Sequence, residues 1–365
     1  MTATALASGA ASRPAAATDD PSVVRSVQPF LQQAGRAVWS PKGDKIAYAK
    51  REANGYLQLW IADDDLVGKR CVTCRLHDLE KSHVGDPTWH PSGDYLVARV
   101  ERPIKSGGEP LRYLEVPGGN LGSDLYFLRA DGRDFYNLTQ LGERGGRVLG
   151  PRFSHEGSRL AWAERVGSGG GTFGKWVLRV ASIQVKRGIP RLKDIRTFKP
   201  GETHLFFHNH GFTTDDRGLV FSGNLEAAQP ESGLDIYRMD LESREVTRLT
   251  RTDEQLDRFA LPSPNGQWIA FTSTADIGSG QATLERRQKS AVRTADLWMM
   301  NAEGRGFHRL TRFNDVHSPT FAGRSMVVPT GWHRDGDKLL ALVLKVGSNE
   351  PGDLYLIELH EPIGR

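Results

Sequence analysis

Hydrophobic and polar residues alternate along this chain in short runs, and each run is preceded by a tight polar turn. The alternating segments are Lys45-Ile-Ala-Tyr48, Tyr95-Leu-Val-Ala98, Arg159-Leu-Ala-Trp162, Leu219-Val-Phe221, Trp268-Ile-Ala-Phe271 and Lys338-Leu-Leu-Ala341. Period-two alternation with β-branched and aromatic residues predicts half-buried strands. Ahead of each lies a turn: Trp39-Ser-Pro-Lys-Gly43, Trp89-His-Pro-Ser-Gly93, Phe153-Ser-His-Glu-Gly157, Phe212-Thr-Thr-Asp-Asp216, Pro262-Ser-Pro-Asn-Gly266 and Trp332-His-Arg-Asp-Gly336. A Pro or polar residue before Gly presets such a turn, so each unit begins as a hairpin.

The turns open at 39, 89, 153, 212, 262 and 332, in steps of 50 to 70 residues. Propeller blades of four strands take about 40–45 residues, so each unit is one blade plus loop insertions. A third strand recurs as Leu57-Gln-Leu-Trp60, Asp124-Leu-Tyr126, Trp176-Val-Leu178, Asp235-Ile-Tyr237, Asp296-Leu-Trp298 and Asp353-Leu-Tyr355. A fourth follows as Tyr136-Asn-Leu-Thr139, Thr247-Arg-Leu-Thr250 and His308-Arg-Leu-Thr311. After the sixth unit only Ile357-Glu-Leu359 and a short tail remain, while Val23–Val27 is a spare strand at the other end. The expectation is an all-β, six-bladed β-propeller of four-stranded antiparallel blades, closed by its N-terminal strand, with residues 23–360 as one domain.

These units resemble the TolB-like propeller family, a WD-like repeat architecture. The sharpest likeness is Asp296-Leu-Trp-Met-Met-Asn-Ala-Glu-Gly304 with Arg309-Leu-Thr311. Unit three departs with His155-Glu156 in place of Pro-Asp, and unit four with Asp216 where the turn glycine belongs. The resemblance implies the fold, a protein-binding role and an exported bacterial protein, periplasmic or secreted.

Composition narrows the field. Net charge is +4 with acids and bases interspersed, which speaks against a nucleic-acid footprint. No apolar run is long enough to span a membrane. Residues 1–22 are rich in Ala, Ser and Thr and read as a disordered leader or signal remnant; without a signal the chain would be cytoplasmic. The basic stretch Glu285–Lys289 reads as a solvated loop. Long loops at 102–123, 167–175 and 276–293 are candidate binding surface.

Candidate chemistry is sparse. Cys71 and Cys74 read as a local disulfide if the protein is exported, or as a reduced pair; a zinc site would need a second such pair. Histidines are more suggestive. His204-Leu-Phe-Phe-His208-Asn-His210 precedes the fourth turn, and alternation puts His208 and His210 on one face. His83 and Asp86 hold the corresponding stretch of the second unit, and Asp315 and His317 precede the sixth. All six, His83, Asp86, His208, His210, Asp315 and His317, are expected to face one axial cavity and bind a ligand. Channel-facing polar residues that simply satisfy backbone groups would look the same.

No Gly-x-Ser-x-Gly elbow or phosphate-binding Gly-Lys-Ser/Thr loop is present. No catalytic residue is assigned. The first reading is a non-enzymatic scaffold that recognises a protein, peptide or carbohydrate and needs no cofactor. The alternative is a metal-dependent lyase or hydrolase acting on a sugar or lactone, with a divalent ion held by the axial histidines. Oligogalacturonate lyases, propellers with a His-rich metal site, supply the resemblance behind that alternative.

Overall fold

The computed structural model describes residues 6–7, 23–103, 121–167, 174–201, 206–227, 229–230, 233–252, 255–277, 293–348 and 350–360. His204, the Glu285–Lys289 stretch, most of the three long loops and all of the leader but two residues lie outside them. Those two form β1 (Leu6–Ala7).

Twenty-three further strands follow in hairpin order. They are β2 (Val24–Trp39), β3 (Lys45–Arg51), β4 (Leu57–Asp63) and β5 (Arg70–Cys71); then β6 (His83–Trp89), β7 (Tyr95–Pro103), β8 (Leu121–Arg129) and β9 (Phe135–Asn137). Next come β10 (Arg147–Phe153), β11 (Arg159–Gly167), β12 (Lys175–Lys186) and β13 (Ile189–Phe198). After these stand β14 (Phe207–Phe212), β15 (Gly218–Gly223), β16 (Asp235–Asp240) and β17 (Val246–Arg248). The last are β18 (Asp257–Pro262), β19 (Trp268–Ser273), β20 (Asp296–Asn301), β21 (His308–Arg309), β22 (Ser325–Trp332), β23 (Lys338–Lys345) and β24 (Gly352–Leu359).

The architecture is a propeller-like ring of antiparallel sheets. Four sheets are four-stranded: β6–β9, β10–β13, β14–β17 and β18–β21, with β1 added in parallel to β17. The expectation of six separate sheets needs correction here. The remaining strands form one curled seven-stranded sheet in the order β22-β23-β24-β2-β3-β4-β5. Its cause is β2, a 16-residue strand whose first half pairs with β24, from Val24 opposite Leu359 to Ala34 opposite Gly352. Its second half pairs with β3, up to Trp39 opposite Ile46. The N-terminal strand thus covers the edge of the last strand by running straight on from one hairpin partner to the next.

The turns explain why the repeat takes this form. Ser40, His90, Ser154, Ser263 and His333 each accept a hydrogen bond from the amide three residues on, which closes the turn. At that position Gly43, Gly93, Gly157, Gly266 and Gly336 hold φ between 70° and 79°, where glycine carries no steric penalty. Gly157 is needed for a second reason: a Cβ there would lie 2.6 Å from His90 Nε2 of the neighbouring turn.

The third and fourth strands are locked by one recurring bracket. Asp296 Oδ1 accepts from Thr311 Oγ1 (2.9 Å) and from the Phe313 amide (3.0 Å), and its Oδ2 accepts from Arg309 (2.9 Å). Asp235 repeats the arrangement with Thr250, Thr252 and Arg248. In both, the threonine hydroxyl accepts from the amide after the aspartate, Leu297 or Ile236. The Asp…Arg-Leu-Thr signature is therefore a device that satisfies buried polar groups between strands.

Apolar layers fill the seams between sheets. Ala47, Leu59, Val84, Leu96 and Tyr126 pack at the seam between the sheets that hold β2–β5 and β6–β9. Ala270, Leu297, Val327, Leu339 and Ile357 form the equivalent layer at β18–β24. Trp89 Nε1 donates to Val38 O (3.4 Å) and Trp332 Nε1 to Leu261 O (3.0 Å), so two opening tryptophans tie one hairpin to the one before it.

Candidate functional site

The first strands of the hairpins, β2, β6, β10, β14, β18 and β22, touch one another in cyclic order and surround a common hub. Every one carries a register shift near its middle, at Ala34/Ala37, Gly85/Thr88, Leu149/Arg152, Asn209/Gly211, Arg258/Leu261 and Pro329/Gly331. A β-bulge leaves a residue unpaired and re-aims its side chain. Two of these bulges hold a proline, Pro87 and Pro151, as expected for a residue that cannot donate to a ladder. Asp86 (φ 49°) and Phe259 (φ 55°) adopt left-handed backbone there, a rare state for residues other than glycine.

The bulges aim charge at the hub. Asp86, 5% exposed, lies 3.4 Å from Arg36 Nε and 3.5 Å from Arg152, and its Oδ2 accepts from the Gly150 amide at 3.2 Å. Burial by itself would raise the Asp86 carboxyl, but Arg36, Arg152 and Arg99 together hold it below its ordinary value. On the other side Arg258 donates to His208 Nδ1 through Nη2 (3.2 Å) and Nε (3.3 Å). His210 packs on His208 with ring centroids 4.7 Å apart, and its Nε2 is bonded to Ser222 Oγ. Arg258 also stacks on Phe259, 4.2 Å from the ring centroid, with Arg36 at 5.5 Å from the same ring.

Burial, reinforced by Arg258, Arg36 and Arg152, pushes both imidazoles well below their usual range; for His208 the neighbouring His210 adds to this. Both are neutral at physiological pH. The hub thus joins three guanidinium groups, one carboxylate and two neutral imidazoles.

Of the six residues expected at one cavity, the structure brings together Asp86, His208 and His210. His83 stands apart at the start of β6, where its Nδ1 accepts from the Leu57 amide (3.2 Å) and its ring lies against Tyr56. Burial, with Arg51 adding, pushes His83 down to about 4. Asp315 and His317 lie in a surface turn where Asp315 caps the His317 amide and pairs with Arg312. They belong to no shared cluster with the hub, because their loop precedes β22 without entering the bulged part of the strand.

A divalent ion does not suit these hub donors. His208 Nδ1 already accepts from a guanidinium, His210 Nε2 is engaged by Ser222, and three nearby arginines oppose a cation. Among the described residues the three-donor grouping with metal-like spacing is His333, Asp335 and Asp337, in the last turn and far along the chain from the hub residues. Cys71 and Cys74 are joined as a disulfide. A cleft of about 510 Å³ lies away from the hub, between the β14–β17 and β18–β21 sheets, with Thr213, Arg238, Met239, Glu245, Ile269 and Glu303 on its walls.

The arginines are what sequence reading missed. Arg36, Arg152 and Arg258 sit three, one and four residues before the opening Trp39, Phe153 and Pro262, each in a differently composed stretch. What they share is a place at the bulge of a hairpin's first strand, which the spacing in the sequence does not reveal.

No protein-family model matches the chain, and no curated protein matches it. Solved structures do. Over 88% of its length the chain superposes on TolB from Acinetobacter baumannii with TM-score 0.51 and 14% identity, spanning 65% of that protein. A putative TolB from Agrobacterium tumefaciens gives TM-score 0.51 and 14% identity over 93% of this chain and 99% of that one. An oligogalacturonate lyase in complex with manganese gives 0.49 and 14% over 94% and 93%. The fold is that of the TolB-like propellers. No helix among the described residues is long and apolar enough to cross a membrane.

Proposed function

We propose that the protein is a non-enzymatic recognition scaffold whose ring holds an anionic segment of a protein, peptide or carbohydrate partner at its axial hub. In this reading the seven-stranded sheet acts as two sectors sharing β2, so that six sectors surround the axis. One observation carries the proposal: Arg36, Arg152 and Arg258 converge on a hub whose nearby carboxylate is Asp86 and whose histidines are neutral. Guanidinium groups recognise carboxylates in a planar, bidentate manner, and a desolvated hub strengthens that attraction. The Cys71–Cys74 disulfide supports a periplasmic or secreted location, where such bonds persist.

Calorimetric titration of the full chain with a short acidic peptide, an oligogalacturonide and neutral counterparts tests the reading. The acidic ligands are expected to bind, and Arg258→Ala to weaken them at least ten-fold. Equal binding of neutral ligands, or an indifferent Arg258→Ala, would remove it.

A second reading has one observation in its favour. His208 is a neutral base beside a guanidinium, the pairing that proton abstraction next to a bound carboxylate would use. Incubation with acidic oligosaccharides and detection of an unsaturated product by its ultraviolet absorbance separates the two. Turnover lost in His208→Gln would establish the lyase; ligand binding without turnover would leave the scaffold.

A further inference from the structure

At the seam between the β6–β9 and β10–β13 sheets lies a second basic cluster that the described residues do not fully neutralise. Arg99 on β7 is 1% exposed, yet its Nε and Nη2 are buried without a hydrogen-bond partner. Its nearest carboxylate is Glu101, at 3.5 Å from Nε. Arg147 opens β10 at 8% exposure, and its Nε is likewise buried and unbonded. Arg165 on β11 stands directly opposite Arg147 across the antiparallel pair, again with an unbonded buried Nε. The environment is repulsive: burial first, then Arg165, pushes Arg147 down to about 10, with Glu101 the carboxylate that acts against this and Arg99 adding to the repulsion.

Like charges directly opposite on a sheet are destabilising, and a buried guanidinium without partners costs more than any surface charge. Two buried arginines on the outer strands are bracketed: Arg309 has Asp296 and Arg248 has Asp235. At the seam, by contrast, three guanidinium groups have Glu101 as the one carboxylate paired with them among the described residues. Planar forks with free N–H groups are the donor set that an oxyanion with several acceptor oxygens completes.

We propose that Arg99, Arg147 and Arg165 form an oxyanion site, taking a phosphate or carboxylate group, at this seam. Its inner member, Arg99, also acts on Asp86 at the hub, but the site's own role does not depend on the hub's. Half-buried Arg165 leaves it a face toward solvent, while Arg99 closes its inner wall.

Thermal-shift and calorimetric titrations of the full chain with inorganic phosphate, sulfate and glutarate, in a chloride buffer of constant ionic strength, test this. Saturable stabilisation by at least one oxyanion is expected, with phosphate against glutarate distinguishing the two sources of the group. Arg99→Met is expected to weaken that binding at least ten-fold and, in chloride alone, to melt no lower than the wild type. Arg147→Gln, nearer the surface, provides a second variant with the same expected loss should Arg99→Met not fold. Arg258→Ala should leave the seam site intact, which separates failure here from failure at the hub. No saturable shift with any of the three anions, or an equal shift in wild type and variants, would overturn the proposal.

Discussion

Two groups of arginines share this ring and are treated in opposite ways. Arg309 and Arg248, on the outer strands, are each held by an aspartate whose remaining lone pairs go to threonines and amides. Arg99, Arg147 and Arg165, at the β7–β10 seam, have buried nitrogens with no acceptor among the described residues. A charge satisfied within its own sheet is part of the fold; a charge left open where two sheets meet has to be answered by something else. The difference lies in position, because the outer strands are joined by short local turns whereas the seam lies between two sheets.

The largest expected effect comes from breaking a bracket. Asp296→Ala leaves Arg309 buried without its main partner and should cost about 3–5 kcal/mol, read by urea denaturation. A loss below about 1 kcal/mol would mean that the bracket is no better satisfied than the seam, and the contrast would fail. Trp89→Ala tests whether the seams are held by apolar packing rather than charge. Trp89 is 8% exposed against the preceding sheet, so a comparable cost of about 3–5 kcal/mol is expected.

Acid sharpens the comparison further. His83 has a folded value of about 4 against 6.5 for the free side chain, so between these the unfolded chain binds more protons. Stability is full above pH 6.5 and falls as pH drops toward 4, by up to about 3 kcal/mol from this group. His208 and His210 act in the same direction. Melting temperatures measured from pH 7 to 4.5 should decline, and His83→Gln should flatten the slope; a flat wild-type profile would contradict neutral buried imidazoles.

The smallest effect concerns the two irregular turns. Asp216 takes the turn glycine's place at φ 57° and accepts the His155 amide (2.8 Å), the His155 ring (2.8 Å) and the Glu156 amide (3.1 Å). Burial raises this carboxyl, but those amide bonds prevail and it is lowered overall. The oddities of units three and four are thus one interaction: a proline at 155 would have no N–H to donate. Asp216→Gly should cost about 1–2 kcal/mol, and less in the His155→Pro background, where the principal donor is already gone.

Alternation, turn chemistry and the Asp…Arg-Leu-Thr spacing were enough to place nearly every strand, since each depends on residues close together in the chain. The pairing of the first and last strands was legible too, because a missing strand at one end matched a spare one at the other. The continuity of β2 was not: whether two adjacent strands merge depends on how far the chain can bend around Gln33 (φ 51°), which no local pattern encodes.

Histidines were conspicuous in the sequence, and three of the six chosen residues do meet. Tertiary structure decided the rest. Bulges in the inner strands interrupt strict alternation, so Asp86 turns toward the hub while His83, three residues earlier, bonds back to Leu57. Arginines scattered from position 36 to 258 converge only because the ring brings their strands together, and their charge changes what those histidines can do. Local rules set the repeat; the closing of the ring set the chemistry at its centre, because side chains far apart along the chain share a dielectric and a neighbour only after folding.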